Sequence, residues 1–276
     1  MNNKPLTQYG MEELAARQRS IKPSGGVQFT RKVEGPEKIK ARQAVLDLAM
    51  AWPEPRLSML TMPGMLWRFE RLLLAARQPG WFQHEGARGT HFTGCENDRA
   101  IYFAGVSHMP GLQTPASELK QIRSYSFAEM AVKTRYASYF FANIDDLMAL
   151  DGWDDGWDMV WLDYTGPMSV DRLDLIARFY DRFVRSTLVI TALKARFEKE
   201  ATRAIKESGG YWEWLRTRFA GKVLHELEYF DTSPMAQFAI RKKPLTIMQL
   251  RSENKALRRE VKSLSDKLRN VTGEGT

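Results

Sequence analysis

Five short apolar runs, each followed by a stretch with helical spacing, constrain this chain more than any other feature. The runs are LSMLT (Leu57 to Thr61), THFTG (Thr90 to Gly94), SYFFAN (Ser138 to Asn143), DMVWLD (Asp158 to Asp163) and TLVITAL (Thr187 to Leu193). Helical patterns occupy Met65 to Arg77, Asp98 to Ala104, Ser117 to Arg135, Val170 to Arg185 and Ala195 to Ser208. Buried-type strands alternating with helices predict an α/β fold built on a doubly wound, mostly parallel sheet. Right-handed crossovers then put the functional crevice outside the carboxyl ends of those strands.

After the last helical stretch comes KVLHELEYFD, a TSP turn and MAQFAIRKK, two strand-length runs joined tightly enough to form an antiparallel β-hairpin at the far edge of the sheet. Beyond Pro244 the spacing changes again. Ile247, Leu250, Asn254, Leu257, Val261, Leu264, Leu268 and Val271 fall on alternating three- and four-residue steps, a heptad seam with Asn254 at an a position and Leu at d. That pattern favours a parallel two-stranded coiled coil, and so a homodimer through residues 247–271. An amphipathic helix packed on its own body is the alternative. Pro244 interrupts any continuous basic helix of the zipper type that reads DNA.

Charge is unevenly divided. Residues 1–44 carry nine Lys/Arg against four Asp/Glu, residues 237–276 carry ten against four, and the centre is mildly acidic within a net charge of +8. Basic ends suggest an anionic partner, nucleic acid first; the same charge also serves to solvate two tails. The expected organisation is a basic flexible arm over 1–40 with a short helix near Met11 to Arg19, a Rossmann-like domain over 41–243, and a coiled-coil helix over 244–276.

Several classes are excluded. The single cysteine, Cys95, cannot form an intrachain disulfide or a thiolate zinc cluster, which points to a reducing, cytoplasmic setting. No run approaches the roughly 18 to 20 apolar residues that span a bilayer, and the polar start MNNKPLTQYG lacks the core of a secretory signal, so no membrane partner is expected. His84, His91, His108 and His225 are scattered without ligand spacing, so no metal is expected. Neither a Walker loop nor a Gly-x-Ser-x-Gly elbow occurs. Trp153, Trp157 and Trp161 surround one strand and Trp212 and Trp214 one helix start, which reads as core or rim packing.

Five parallel strands completed by a late antiparallel hairpin resemble the layout of class I S-adenosylmethionine-dependent methyltransferases, over roughly Leu57 to Lys243. The resemblance implies S-adenosylmethionine as cofactor and assigns candidate residues. The loop after the first strand, Thr61-Met62-Pro63-Gly64, would lie under the methionine end, so Thr61, Met62 and Gly64 are cofactor-binding candidates. It departs from the family's Gly-x-Gly pattern, and Pro63 has no N–H to offer. After the second strand, Glu96 matches the acidic position that accepts from both ribose hydroxyls, a task suited to a two-oxygen acceptor; helix capping by Asn97 or Asp98 with a solvated Glu96 is the plainer reading. After the third, Ile144 and Asp145 match the position that packs on the adenine and accepts from its amino group, while Asp146 suits a helix start.

The segment Leu162-Asp163-Tyr164-Thr165-Gly166-Pro167 resembles the Asp-Pro-Phe-Gly-type motif of nucleic-acid amino methyltransferases. The resemblance implies catalytic roles for Asp163, accepting from the target amino group, and Tyr164, stacking on the base, with Gly166-Pro167 shaping a turn. An exocyclic amine needs positioning more than base catalysis, and a base in a duplex must be flipped out to be reached. Tyr164 stands where that group has Pro, and Thr165 where it has the aromatic. The expected function is a methyltransferase-like protein acting on a DNA or RNA base. The alternative is a non-catalytic Rossmann-like nucleic-acid-binding or scaffold protein dimerised by its coil.

Overall fold

In the computed structural model, residues 35–54, 56–63, 67–77, 89–106, 108–110, 131–134, 136–150, 153, 156–231 and 233–243 are described. The chain divides into two units, Met1–Lys242 and Lys243–Thr276. The Met11 to Arg19 helix and the 247–271 coil lie outside the described residues.

In chain order the elements are α1 (Pro36–Met50), β1 (Ser58–Thr61), α2 (Arg68–Arg77), β2 (His91–Glu96), α3 (Arg99–Val106), β3 (Ala131–Lys133), β4 (Ala137–Phe141), α4 (Ile144–Met148), β5 (Trp157–Pro167), α5 (Val170–Phe183), β6 (Val184–Leu193), α6 (Lys199–Glu207), α7 (Tyr211–Arg216), β7 (Lys222–Phe230) and β8 (Pro234–Arg241). The strands form one sheet of order β3-β4-β2-β1-β5-β6-β8-β7. β4, β2, β1, β5 and β6 run parallel, and β8 and β7 close one edge antiparallel. The doubly wound sheet and the late hairpin are therefore both present. From β1 the winding goes outward to β2 and β4, then resumes on the other side with β5 and β6. β1 and β5 flank the topological switch point, where open α/β sheets place their ligands.

The sheet separates two apolar cores. One face carries Met59, Phe92, Tyr139, Met159 and Val189 under α1, α2 and α3, and the other carries Leu60, Phe140, Val160, Leu162, Leu188 and Phe238 under α4 to α7. Period-two alternation explains the division, and burial on both faces explains why the strands read as continuous apolar runs. The tryptophans at 153, 157, 161 and 214 are core residues.

Three differences from the sequence expectations have local causes. α1 starts at Pro36, within the stretch read as a free arm, because Pro36 presets the first turn and Ala41, Val45 and Ala49 then fall on one buried face. Its start is held down as well: Glu37 accepts from the backbone N–H of Phe230 at 2.6 Å, and Lys38 pairs with Asp231 at 3.1 Å. Second, the helix expected over Ser117 to Arg135 gives way at its end to β3, an antiparallel edge strand on β4; the stretch before Ala131 lies outside the described residues. Third, α5 stops at Phe183 and the chain passes directly into β6. Gly156 permits this, since a Cβ there would stand 2.1 Å from the Phe183 carbonyl oxygen.

A row of polar groups crosses the sheet inside the first core. Trp161 Nε1 donates to Thr191 Oγ1 at 3.1 Å, Gln237 Nε2 donates to the same oxygen at 3.2 Å, and Gln237 Oε1 lies 3.0 Å from His225 Nε2. Burial lowers the His225 pKa, so the ring is held neutral to lower pH than a free histidine.

Candidate functional site

β5 regulates the geometry at the switch point. Its pairing with β6 is regular from Met159 opposite Thr187 to Asp163 opposite Thr191, then resumes only at Pro167 opposite Leu193, so β5 spends two extra residues over Tyr164 to Gly166. Such an irregularity bends a strand and re-aims its side chains. The turn expected at Gly166-Pro167 is thus a bulged strand end. Asp163 is half-buried on the α1/α2 face, and Tyr164, buried at 5% exposure, turns into the opposite core.

Tyr164 is firmly held there. Its hydroxyl donates to Asp145 Oδ1 at 2.9 Å, and the Arg172 guanidinium lies 4.6 Å from its ring centroid. Arg172 also grips Asp145 Oδ2 through Nε at 3.0 Å and a terminal nitrogen at 2.8 Å. Burial first, then the Asp145 charge, push the Tyr164 phenol well above its ordinary range. The ring expected to stack on a base is thus enclosed by its neighbours in this structure. Asp145, expected to contact the adenine, accepts in this structure from Tyr164 through one oxygen and from Arg172 through the other. Ile144 is buried in the core at the start of α4, whose first turn is capped by Asn143 accepting from the Asp145 N–H at 3.0 Å.

Glu96 ends β2 on the same edge. One of its oxygens accepts from the Asp98 N–H at 2.8 Å, and burial raises its pKa against the lowering pull of the Asp98 and Asn97 amides. Cys95 beside it is buried, and burial followed by the Glu96 and Asp145 charges pushes its thiol well up. An inert thiol is the consequence.

The loop after β1 is shaped by packing. Gly94 faces it, and a Cβ there would meet Pro63 Cγ at 2.7 Å and the Trp67 ring at 2.8 Å. Trp67 is wholly buried, has φ 49°, and donates from Nε1 to the Gly105 carbonyl at 3.1 Å. Met62 is half-buried against the second core. Thr61 is wholly buried, and Gly64 lies outside the described residues.

The sequence reading missed Glu70. In RFERLLLAAR it stands within the apolar stripe Phe69, Leu73, Leu74, a charged residue at a core position, which is the signal that was available. It is 2% exposed. Burial raises its pKa to about 7, against its own backbone N–H, the Thr61 hydroxyl and the Arg42 charge, with Asp163 adding a further rise. Arg42 comes from α1. The Arg42 and Asp163 charges bear on Tyr229 of β7 as well as on Glu70.

No protein-family profile matches the sequence, and no curated protein is similar to it. Solved structures are similar to it. One from Listeria monocytogenes, assigned as a class I S-adenosylmethionine-dependent methyltransferase, aligns at 12% identity over 81% of this chain and 64% of that one, with TM-score 0.43. A SAM-dependent methyltransferase from Agrobacterium tumefaciens aligns at 15% identity over 79% and 67%, with TM-score 0.47. A protein from Pyrococcus horikoshii assigned as an RNA methyltransferase aligns at 12% identity over 84% and 96%, with TM-score 0.39. The chain spans 64% of the length of the first of these. All three scores lie below 0.5, and the fold is read from the strand order itself: the Rossmann-like layout of class I methyltransferases.

The cofactor expected from the sequence is S-adenosylmethionine. Glu96 fits its ribose, being a carboxylate at the end of β2 fixed by an adjacent amide. Asp145 already accepts from Tyr164 and Arg172, and in the loop after β1 the ring of Pro63 lies against Gly94. The residues present thus fit the ribose best. Among the described residues no helix is long and apolar enough to cross a membrane.

Proposed function

We propose that this chain is an S-adenosylmethionine-dependent methyltransferase acting on the amino group of a nucleic-acid base. The observation that carries the reading is the placement of Asp163 and Glu96 on one edge of the sheet, at the ends of the two strands that flank β1, at the topological switch point.

S-adenosylmethionine supplies, when bound, a methyl group on a sulfonium. Glu96 would hold the ribose diol, and the backbone amide of Met62 would donate to the methionine part. Asp163 would accept from the target amino group and direct its lone pair, which is the main requirement for transfer to such a nitrogen. The bulge after Asp163 would turn that carboxylate toward the crevice. Tyr164 contributes by fixing β5 to α4 and α5. The basic segments 1–44 and 237–276 would hold the phosphate backbone, and the heptad seam over 247–271 would pair two copies in parallel.

A second reading, a non-catalytic nucleic-acid-binding scaffold on the same fold, draws on the committed Asp145 and on Pro63 packed against Gly94. Titration calorimetry of the full chain with S-adenosylmethionine and with S-adenosylhomocysteine separates the two. Micromolar binding supports the enzyme. Absence of binding at millimolar ligand, with and without added nucleic acid, would leave the scaffold reading.

A further inference from the structure

The rooting of α1 at the hairpin tip ties one end of the chain to the crevice edge of the sheet. Register fixes the level of that tip. Pro167 at the end of β5 pairs with Leu193 of β6, Leu193 with Met235 of β8, and Met235 with Tyr229 of β7. Phe230 is the next residue, so it stands at the carboxyl edge of the parallel strands, three strand spacings or about 14 Å from β5. Its backbone is fixed by pairing with Pro234 and by the bond from its N–H to Glu37, and the neighbouring Asp231 is gripped by Lys38. The Phe230 residue itself is 61% exposed, and Ile39 in the first turn of α1 is 54% exposed. An aromatic ring held out at the tip of a paired hairpin adds little to the core.

The residues that precede α1 join the fold at this same edge. Residues 1–35 carry six Lys/Arg against three Asp/Glu, and Arg31 and Lys32 fall within five residues of Pro36, a stretch that spans at most about 18 Å when fully extended. By contrast, β8 runs antiparallel and ends with Arg241 opposite Thr187, near the start of β6, so the chain leaves the sheet for the second basic segment at the opposite edge. Acidic groups at the tip are engaged, Glu37 with the Phe230 N–H, Asp231 with Lys38 and Glu228 with Lys194. An exposed ring beside cationic side chains is the combination that holds unpaired bases by stacking and their phosphates by charge. We infer that Phe230 and the basic residues preceding α1 form a landing surface for single-stranded nucleic acid, on the edge of the sheet that holds the crevice. Bases in a duplex are stacked on one another and leave no face for Phe230.

This surface rests on the nucleic-acid part of the proposed function, and its test needs no cofactor. Fluorescence anisotropy of labelled single-stranded RNA and DNA oligonucleotides is followed with the full chain over a range of salt concentrations. Phe230→Ala should weaken binding about fivefold or more, with its salt dependence kept, and should leave duplex binding unchanged. Phe230→Leu, which keeps apolar bulk but has no aromatic face, should weaken it in the same way. Arg31→Glu together with Lys32→Glu should weaken binding and flatten its salt dependence. A photo-crosslinking phenylalanine analogue in place of Phe230 should attach to the single-stranded oligonucleotide. Affinity unmoved by Phe230→Ala, or attachment from position 230 to a second copy of the chain in place of the oligonucleotide, would overturn the surface. Failure of the chain to bind S-adenosylmethionine would instead sink the methyltransferase reading, while the anisotropy and crosslinking still decide the surface.

Discussion

Tyr164 and Asp145 are nineteen residues apart and meet through a 2.9 Å hydrogen bond that joins the bulged end of β5 to the first turn of α4. Arg172 from α5 completes the contact by holding the other Asp145 oxygen. Asp145→Ala removes the acceptor of a buried hydroxyl, and an unsatisfied buried donor costs about 1–3 kcal/mol. Urea denaturation should show a loss in that range for Asp145→Ala and a loss at or below its lower end for Tyr164→Phe, in which Asp145 keeps Arg172. Asp145→Asn should leave S-adenosylmethionine affinity unchanged; a large drop would restore the adenine contact.

Gly94→Ala forces a methyl group into Pro63 and the Trp67 ring, both in a filled core. Overpacking of this kind costs about 1–3 kcal/mol. Because Pro63 belongs to the loop after β1, calorimetry should show cofactor affinity falling along with thermal stability. A stable variant with full affinity would show that the loop can move away freely.

The pH dependence of stability follows from Glu70. Its folded pKa is raised to about 7 from 4.5, so the folded state binds more protons than the unfolded one between those values, and stability falls as pH rises through that window. Below pH 4.5 both states are protonated and the penalty is absent. Above about 7 it reaches on the order of 3 kcal/mol. Glu70→Gln should remove this decline, so the variant gains on the unsubstituted chain at pH 8 and not at pH 4. Equal pH slopes in the two proteins would place the titration elsewhere.

Asp163→Ala should abolish methyl transfer while S-adenosylmethionine still binds, as read by single-turnover assay and calorimetry. Loss of both would assign Asp163 to folding, through its place in the field of Glu70 and Tyr229.

Deletion from Pro244 onward should yield monomers by light scattering. An unchanged mass would move the interface to the body of the protein.

Much of the sheet was legible because its strands are buried on both faces and read as unbroken apolar runs. Met159 to Leu162 is the clearest case. The antiparallel hairpin was legible from the tight polar turn between two strand-length runs, of which β7 is half-buried rather than apolar throughout. β3 was not, since Ala131 to Lys133 is too short to carry a period. The positions of Glu96 at the end of β2 and of Asp163 at the end of the apolar run of β5 were legible in the same runs. The engagement of Tyr164 was not, because Asp145 and Arg172 reach it from two other elements and no local pattern encodes that choice. Glu70 left a trace, a carboxyl within an apolar stripe, but its partners come from α1, β1 and β5.

The hydrogen bonds from Trp161 through Thr191 and Gln237 to His225 have a further consequence. Parallel strands elsewhere in the sheet are aligned by their crossover helices, but β8 enters between β6 and β7 from a hairpin. A slip of one residue would carry Gln237 to the other face and remove its bonds to Thr191 and His225, leaving Thr191 with Trp161 alone. The polar row therefore works as an address for the last strand, making the correct alignment of β8 the one arrangement in which every buried donor along it is answered.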